Sequence, residues 1–279
     1  MKTINSLSGG ATSSFMASHF TADEDIFALV CVDDNRANGL DPQMMQYIND
    51  KLEESGTLQV HGEFIATAES DQTLYAMRSL EQHIGRSITW LRGSAFDQLI
   101  AKKKMVPSQF ARFCTTELKI IPIATYIYHK YGSAVIDNIG IRYDEQNRVK
   151  KDQRQETSIV IGTHKNGNNK WLDFHWGNAT YPLVYDMPVT KHHVVQYWKD
   201  KHISFPVDSN CVGCFHKPLQ QLRKNLDRDP VKMQWFIDQQ FNLYQKGIVF
   251  DYKDLHRIAL QADFFDGTGA GCQSNFCTD

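Results

Sequence analysis

Short apolar runs alternate with longer amphipathic stretches along most of the chain. Residues 25–32 form a run in which every residue after Asp25 is apolar. Such a run is typical of a strand buried on both faces of a parallel sheet. Residues 3–7, 87–91 and 134–141 predict further strands, with helical patterns between them. This alternation predicts an α/β fold with a mainly parallel, twisted sheet flanked by helices.

Shorter patterns predict the remaining elements of the first part of the chain. Residues 58–60 and 64–67 predict short strands. Residues 158–161 and 170–174 predict a hairpin whose turn contains Gly167, because glycine supplies the backbone conformation that tight turns need.

The C-terminal part of the sequence has a different pattern. Residues 218–262 predict two or three helices, one of them opened by Asp229-Pro230, a pair suited to a helix start. Residues 265–279 are rich in glycine. We therefore expect an α/β domain at residues 1–205 and a smaller, mostly helical region with a glycine-rich tail at residues 206–279.

Composition and charge narrow the function classes. The 279 residues are 42% hydrophobic and 22% charged, with a net charge of -2, which is ordinary for a globular protein. A near-neutral charge gives no general attraction to nucleic acid. No apolar run reaches membrane-spanning length, and the sequence from Met1 shows no apolar signal-peptide core. We therefore expect a cytoplasmic protein in a reducing compartment, with no membrane partner.

The first predicted strand leads directly into a loop that can bind phosphate. Its sequence is Ser8-Gly9-Gly10-Ala11-Thr12-Ser13-Ser14, and a helix pattern follows at once. Glycines allow close approach of the backbone, free N–H groups at a helix start attract anions, and hydroxyls add donors. The spacing differs from both common phosphate-loop motifs. The candidate phosphate-binding residues are Ser8, Gly9, Gly10, Thr12, Ser13 and Ser14.

Two other predicted strands end in polar residues at the edge where α/β folds bind ligands. Asp33 and Asp34 follow the apolar run; they are candidates to accept from a ribose hydroxyl or an adenine amine, or to cap a turn. Arg142 and Arg148 follow the strand at 134–141. Guanidinium groups match phosphate and sulfate oxygens, so these arginines either clamp an anionic substrate or form surface ion pairs.

The six cysteines suggest metal or redox chemistry, because disulfides are rare in a reducing compartment. Cys211 and Cys214 form a Cys-x-x-Cys pair, and Cys114 is the natural third ligand. Cys272, Cys277, an external ligand or nothing would complete the set. Spacing alone leaves zinc and an iron–sulfur cluster open.

Cys114 has a second predicted feature. Thr115 or Thr116 is suited to cap a helix over residues 123–131, which would place Cys114 just before a helix N-terminus. A thiolate is favoured there; a buried thiol is the alternative. Cys272 and Cys277 lie in the glycine-rich tail, where a thiolate would suit nucleophilic attack.

Together these motifs resemble the phosphoadenosine phosphosulfate (PAPS) reductase family, a group of PP-loop proteins. The matches are residues 8–13 to the pyrophosphate loop, residues 113–122 to a Cys-Cys…Lys-Val-x-Pro segment, residues 140–148 to a substrate loop, and residues 211–214 to a downstream cysteine pair. The resemblance implies a PP-loop/HUP-like fold that binds an adenine nucleotide at residues 1–205.

The resemblance also implies roles for particular residues. Cys114, Cys211 and Cys214 would hold a 4Fe–4S cluster, and Lys119 would join Arg142 and Arg148 in binding the substrate anion. Phe113 stands where the family has the first cysteine of the pair, and the family's C-terminal Glu-Cys-Gly-x-His signature is absent from the sequence.

The implied activity is reductive release of sulfite from a sulfonucleotide, APS or PAPS. Cys272 or Cys277 would be the nucleophile, and a thioredoxin-like protein the electron donor. One alternative is an ATP pyrophosphatase that installs sulfur in tRNA or DNA, with nucleic acid as a partner. Another is a non-enzymatic nucleotide-binding module with structural zinc. Mg²⁺ is a plausible helper for phosphate binding, although the sequence shows no dedicated carboxylate cage.

Overall fold

The helices and strands follow the alternation predicted from the sequence. The computed structural model describes residues 1–150, 153–207, 211–241 and 250–260. The elements are β1 (Thr3–Leu7), α1 (Ala11–His19), β2 (Glu24–Leu29), β3 (Cys31–Val32), α2 (Pro42–Glu54), α3 (Thr57–His61), β4 (Ala66–Thr67), α4 (Asp71–Ile84), β5 (Ile88–Arg92), α5 (Phe96–Lys103), α6 (Phe113–Thr115), α7 (Ile121–Tyr131), β6 (Val135–Ile139), β7 (Arg154–Thr163), β8 (Asn169–Thr180), α8 (Pro182–Tyr185), α9 (Lys191–Lys199), α10 (Leu219–Arg228) and α11 (Pro230–Phe241).

Six strands form the main sheet in the order β5-β2-β1-β6-β8-β7. Every neighbouring pair is parallel except β7 and β8, which form the predicted hairpin. The predicted α/β class with a mainly parallel sheet is therefore confirmed. The strand order changes direction between β1 and β6, and open α/β sheets bind ligands at the carboxyl ends of strands at such a point.

A row of polar side chains crosses four strands and fixes their register. Asn5 Nδ2 on β1 donates to Asp25 Oδ1 on β2 at 2.7 Å, and Asn138 Nδ2 on β6 donates to Asn5 Oδ1 at 2.9 Å. Thr180 Oγ1 on β8 then donates to Asn138 Oδ1 at 2.6 Å. Each bond joins residues that are paired in the sheet. A slip by one residue would turn these groups to the opposite face and break the row.

Helices cover both faces of this sheet. Buried side chains of α1, α2, α4 and α9 pack on one face, and those of α7 pack on the other. Helices α10 and α11 pack against β3, β4 and α5 through a core that includes Trp235 and Phe236. The division at residue 205 stays a prediction. Among the described residues, no helix combines the length and apolar character needed to cross a membrane.

Two local predictions were wrong. The apolar run at 25–32 is not one strand, because Cys31 and Val32 leave the main sheet and pair antiparallel with β4. Residues 58–60 lie in α3 instead of a strand. Gly56, with φ of 74°, starts this helix in the left-handed conformation, and Val60 is 73% exposed, so no sheet face buries its side chain.

Substitution of Gly9 tests whether the loop after β1 requires glycine at this position. Its φ of 82° favours glycine, and a Cβ there would overlap Cγ2 of Thr73. Gly56 has a similar φ of 74° with nothing near its missing Cβ. We expect Gly56→Ala to lower the free energy of unfolding by about 1 kcal/mol. Gly9→Ala should cost roughly 1–3 kcal/mol more because of the overlap. Urea unfolding measures both losses.

Thr73→Ser supplies the control for this comparison, because it removes the overlapping methyl group. In the Gly9→Ala background it should bring the loss back towards that of Gly56→Ala. Equal losses in the two single alanine variants would contradict this account of the loop.

Candidate functional site

The loop at residues 8–14 is held by its own hydroxyl groups. The backbone N–H of Ser8 donates to Ser13 Oγ at 3.1 Å, and Ser13 Oγ donates to the carbonyl oxygen of Gly10 at 3.2 Å. Ser14 Oγ donates to the same carbonyl at 2.9 Å. Thr12, Ser13 and Ser14 are buried. Their side chains therefore shape the turn, and the start of α1 leaves backbone N–H groups without helical partners.

The end of β6 lies directly against this loop. A Cβ at Gly140 would stand 2.9 Å from Cα of Ser13, so only glycine permits this approach without a shift of backbone. The contact holds the carboxyl ends of β1 and β6 together at the point where the strand order changes direction.

A cavity of about 240 Å³, which we call the loop cavity, opens beside these strand ends. Ser8 is the loop residue that lines it, together with Leu7 and Ile139 at the ends of β1 and β6. The basic side chains that line it are Lys119, Arg148, Lys150 and Arg154, and the carboxyl groups are those of Asp137 and Glu156. This excess of basic groups favours an anionic ligand.

The two arginines predicted to bind the substrate anion have different surroundings. Arg148 lines the loop cavity and forms an ion pair with Glu145 at 3.0 Å. Arg142 is 3% exposed, pairs with Asp144 at 2.9 Å, and lies 3.4 Å from Thr12 Oγ1. Arg142 thus ties the segment after β6 to the loop after β1. Its contact with a substrate stays a prediction.

The two acidic residues after β3 bind neighbouring side chains. Asp34 caps the short turn that follows it and pairs with Arg36 at 2.7 Å, as the capping alternative predicted. Asp33 accepts from Arg92 at 3.2 Å and from Gln98 at 2.7 Å. Neither carboxylate lines the loop cavity, and their contact with a nucleotide stays a prediction.

The structure brings Cys114, Cys211 and Cys214 together. All three line two adjoining cavities of about 240 and 450 Å³, which we call the cysteine cavities. The backbone N–H of Cys214 donates to the carbonyl of Cys211 at 3.0 Å, and that of Val212 donates to Ala68 at 2.8 Å. These bonds fix the Cys-x-x-Cys turn beside the end of β4.

The predicted start of the helix after Cys114 was wrong. Helix α6, a π-helical segment at Thr116–Ile120 and α7 form one continuous helical run, and neither Thr115 nor Ile120 caps the next segment with its side chain. Cys114 therefore lies inside the first helical turn. Burial raises the pKa of its thiol to about 11, helped by Cys214. The raised pKa favours the thiol over the thiolate, although Cys114 is only half-buried.

The arrangement of the possible ligand side chains indicates which kind of metal group they could hold. Within the described ranges, no three His, Cys, Asp or Glu side chains are arranged so that they could hold one metal ion. A tetrahedral zinc site needs about four ligands converging on one ion, whereas the cysteines of an iron–sulfur cluster bind different irons. Three thiols around a shared cavity fit part of a cluster. Cys272 and Cys277 lie outside the described residues, and the cofactor stays a prediction.

Thr115 and Lys119 line both the loop cavity and the smaller cysteine cavity. Lys119 Nζ lies 2.8 Å from Oε1 of Glu69, whose side chain is fully buried. Burial acts to lower the pKa of Lys119, but the Glu69 carboxylate outweighs it and the pKa is raised. A charged ammonium group therefore stands in the wall between an anion-suited cavity and three thiols.

Several residues at the site were missed from the sequence. Glu69 follows the predicted strand at 64–67 closely enough to suggest a strand-end acid, and His216, which lines both cysteine cavities, follows Cys214 by two positions. Asp137 is an acid inside an apolar run, which marks it as unusual. Lys150 and Arg154 lie in a polar segment with no periodic pattern, and no sequence signal distinguishes them.

Comparisons with known proteins find distant likenesses. No protein-family model matches the chain. A stretch of 117 residues, 41% of this chain, is 30% identical to an uncharacterized protein of Methanocaldococcus jannaschii and spans 23% of that protein's length. The crystal structure of phosphoadenylyl-sulfate (PAPS) reductase from Candida auris, a phosphate complex, overlaps 74% of this chain and 75% of its own at 12% identity, with a TM-score of 0.34. At this TM-score the two structures are not compared residue by residue.

Proposed function

We propose that this chain binds an adenine nucleotide at the loop cavity and carries out reductive sulfur chemistry on it, as a sulfonucleotide reductase that releases sulfite from APS or PAPS. One observation carries the proposal. Thr115 and Lys119 stand in the wall that the loop cavity shares with a cavity lined by Cys114, Cys211 and Cys214.

The loop after β1 and the loop cavity beside it together supply the means to hold phosphate or sulfate. Backbone N–H groups at the start of α1 lack helical partners and lie at the positive end of the helix dipole. Lys119 and Arg148 add charged donors from two other segments, and hydrogen bonds to charged groups are the stronger ones. Mg²⁺ would further neutralise a polyphosphate.

The three cysteines would hold a 4Fe–4S cluster, with Cys272, Cys277 or an external group as the fourth ligand. Such a cluster supplies iron for sulfur chemistry when bound. Burial raises the pKa of Cys211 well above its usual value, so metal loading must release protons from these thiols. Zinc is the alternative occupant.

The reductive step is assigned to the tail cysteines. The thiolate of Cys272 or Cys277 would attack the sulfonate sulfur, and the bond from that sulfur to the phosphate oxygen would break, releasing AMP or its 3′-phosphorylated form. One thiol of a thioredoxin-like donor would then attack the sulfur of that cysteine, displace sulfite and form a mixed disulfide, and the donor's second thiol would displace the enzyme's thiolate and leave the donor as an internal disulfide. The donor thus supplies both electrons.

A second candidate is an ATP pyrophosphatase that transfers sulfur to a nucleic acid. Phe110 is 81% exposed, and Arg112, two residues further along, lines the smaller cysteine cavity. An exposed ring two residues before a basic side chain suits stacked bases and phosphate. The products separate the two candidates.

Nucleotide binding tests the first half of the proposal. Arg148→Gln removes a charged donor from the loop cavity, and we expect the Kd for ATP in calorimetry to rise about tenfold or more, as loss of a charged hydrogen bond does. Arg257→Gln is a matched control, because Arg257 pairs with Asp254 three residues away as Arg148 pairs with Glu145. Equal affinities of the two variants would contradict the assignment of the cavity.

A turnover assay tests the second half of the proposal, the reductive release of sulfite. The full chain, reconstituted anaerobically with iron and sulfide, is supplied with APS or PAPS and a thioredoxin system. We expect sulfite release, which Cys272→Ser or Cys277→Ser reduces to the enzyme-free level. Cys114→Ser should lower bound iron, whereas Cys31→Ala should keep it, because Cys31 is buried in β3 and lines neither cysteine cavity.

Each of the other outcomes of this experiment would contradict a particular part of the proposal. Pyrophosphate release from ATP that requires a nucleic acid, with no sulfite, would replace the reductase by the second candidate. Full turnover by both tail-cysteine variants would contradict the assigned nucleophile. Bound zinc without iron would favour the structural-zinc alternative.

A further inference from the structure

The Cys-x-x-Cys turn at residues 211–214 has all four of its carbonyl oxygens hydrogen-bonded to protein donors. The carbonyls of Cys211 and Cys214 each accept from the backbone N–H three residues further along, at 3.0 Å. The carbonyls of Val212 and Gly213, between the two cysteines, accept from side chains that lie much further along the chain. The two middle peptide groups are therefore fixed from outside the turn.

Asn225 of α10 holds the first of these middle carbonyls. Its Nδ2 donates to the carbonyl oxygen of Val212 at 2.8 Å, and Asn225 is only 1% exposed. Asn225 Oδ1 accepts from Gln221 Nε2 at 3.0 Å and from Arg228. Because Oδ1 has its own donors, the amide is held with its NH₂ group facing the turn.

Tyr252 holds the second middle carbonyl. It begins a short 3₁₀-helix at Tyr252–Arg257, and its hydroxyl donates to the carbonyl oxygen of Gly213 at 2.7 Å. Gln240 of α11 braces it, since the Tyr252 N–H donates to Gln240 Oε1 at 2.6 Å and Gln240 Nε2 donates to the carbonyl of Phe250 at 3.0 Å. The hydroxyl is therefore presented to the turn by a segment that is bonded to α11.

The ring of Phe236, also on α11, supports the same part of the turn. A Cβ at Gly213 would lie 2.4 Å from Cγ of Phe236, so only glycine lets the turn lie this close to the ring. Phe236 is buried and lines the larger cysteine cavity. Contacts from α10, α11 and the 3₁₀-helix thus converge on the two residues between the cysteines.

These contacts hold the turn before any metal is bound. A free Cys-x-x-Cys segment must be ordered when its thiols bind metal, and ordering each residue costs conformational entropy. Here folding of the chain has already ordered the turn. Groups behind metal ligands commonly act in this way, by fixing the orientation of the ligands.

We propose that Asn225 and Tyr252 are positioning residues that hold the Cys-x-x-Cys turn in its metal-binding shape. They thereby help Cys211 and Cys214 to retain iron. The inference rests on the proposed iron–sulfur cluster, and it gives α10 and α11 a role that the proposed reaction does not otherwise assign to them.

The rate of iron loss tests this role. The full chain, reconstituted anaerobically with iron and sulfide, is mixed under reducing conditions with excess bathophenanthroline disulfonate, which forms a coloured complex with Fe²⁺. Tyr252→Phe removes only the hydroxyl. Asn225→Asp keeps the acceptor for Gln221 and Arg228 but loses the donor to Val212. We expect each variant to release iron at least about tenfold faster than the wild-type chain.

Tyr131→Phe is the matched control. It also removes a single hydroxyl bond, 2.6 Å long to Glu24 Oε2, and Tyr131 lines neither cysteine cavity. It should release iron at the wild-type rate. In urea, the metal-free Tyr252→Phe chain should lose no more free energy of unfolding than metal-free Tyr131→Phe. That result would exclude a general loss of stability as the cause of faster iron release.

The outcomes separate this inference from the proposed cofactor. If the wild-type chain takes up no iron, the proposed cluster fails and the positioning role fails with it. If it takes up iron but Tyr252→Phe and Asn225→Asp release it at the wild-type rate, or if Tyr131→Phe releases it as fast as they do, the positioning role is overturned while the cluster stands. If Asn225→Asp does not fold, Tyr252→Phe alone decides.

Discussion

The ion pair between Lys119 and Glu69 is the interaction on which the candidate site depends. The Glu69 carboxylate is fully buried and Lys119 is half-buried, with Nζ and Oε1 2.8 Å apart, so removing the lysine would leave a buried carboxylate without its charged partner, which costs about 3–5 kcal/mol in fully buried pairs. The pair fastens the π-helical segment to the chain just beyond β4. As a result, Cys114 lines the cysteine cavities while Ile120 and Ile123 line the loop cavity. One helical run thereby forms the wall between both halves of the proposed chemistry.

The register of the sheet positions the loop after β1 and the segment after β6, which form the other side of the candidate site. The polar row through Asp25, Asn5, Asn138 and Thr180 holds four strands in register, so the loop after β1 meets the segment after β6. Gly140 then allows close contact with the loop. Because the same register aligns the opposite faces of these strands, it also brings Ser6 and Asp137 together beside the loop cavity. Local loop shape and cavity chemistry thus share one cause.

The sequence predicts the parts of this arrangement that depend on local pattern. Apolar runs identified the main strands, the glycine–serine motif identified the loop after β1, and cysteine spacing identified the residues that line one pair of cavities. What it missed depends on contacts distant in the chain. The break after Leu29 requires β4 as a partner, the burial of Arg142 requires the loop after β1, and the position of Asp137 beside the loop cavity requires the neighbouring strands. The start of the helix at Phe113 was missed because threonine caps and helix interiors look alike in one sequence.

The most direct measurement is a crystal structure of the anaerobically reconstituted chain with a non-hydrolysable ATP analogue. The account predicts phosphates within hydrogen-bond distance of Ser8 and the backbone at the start of α1. It also predicts that iron, located by its anomalous signal, is bound to Cys114, Cys211 and Cys214 on the far side of Lys119. Phosphates bound away from the loop cavity, or iron bound away from these cysteines, would contradict it.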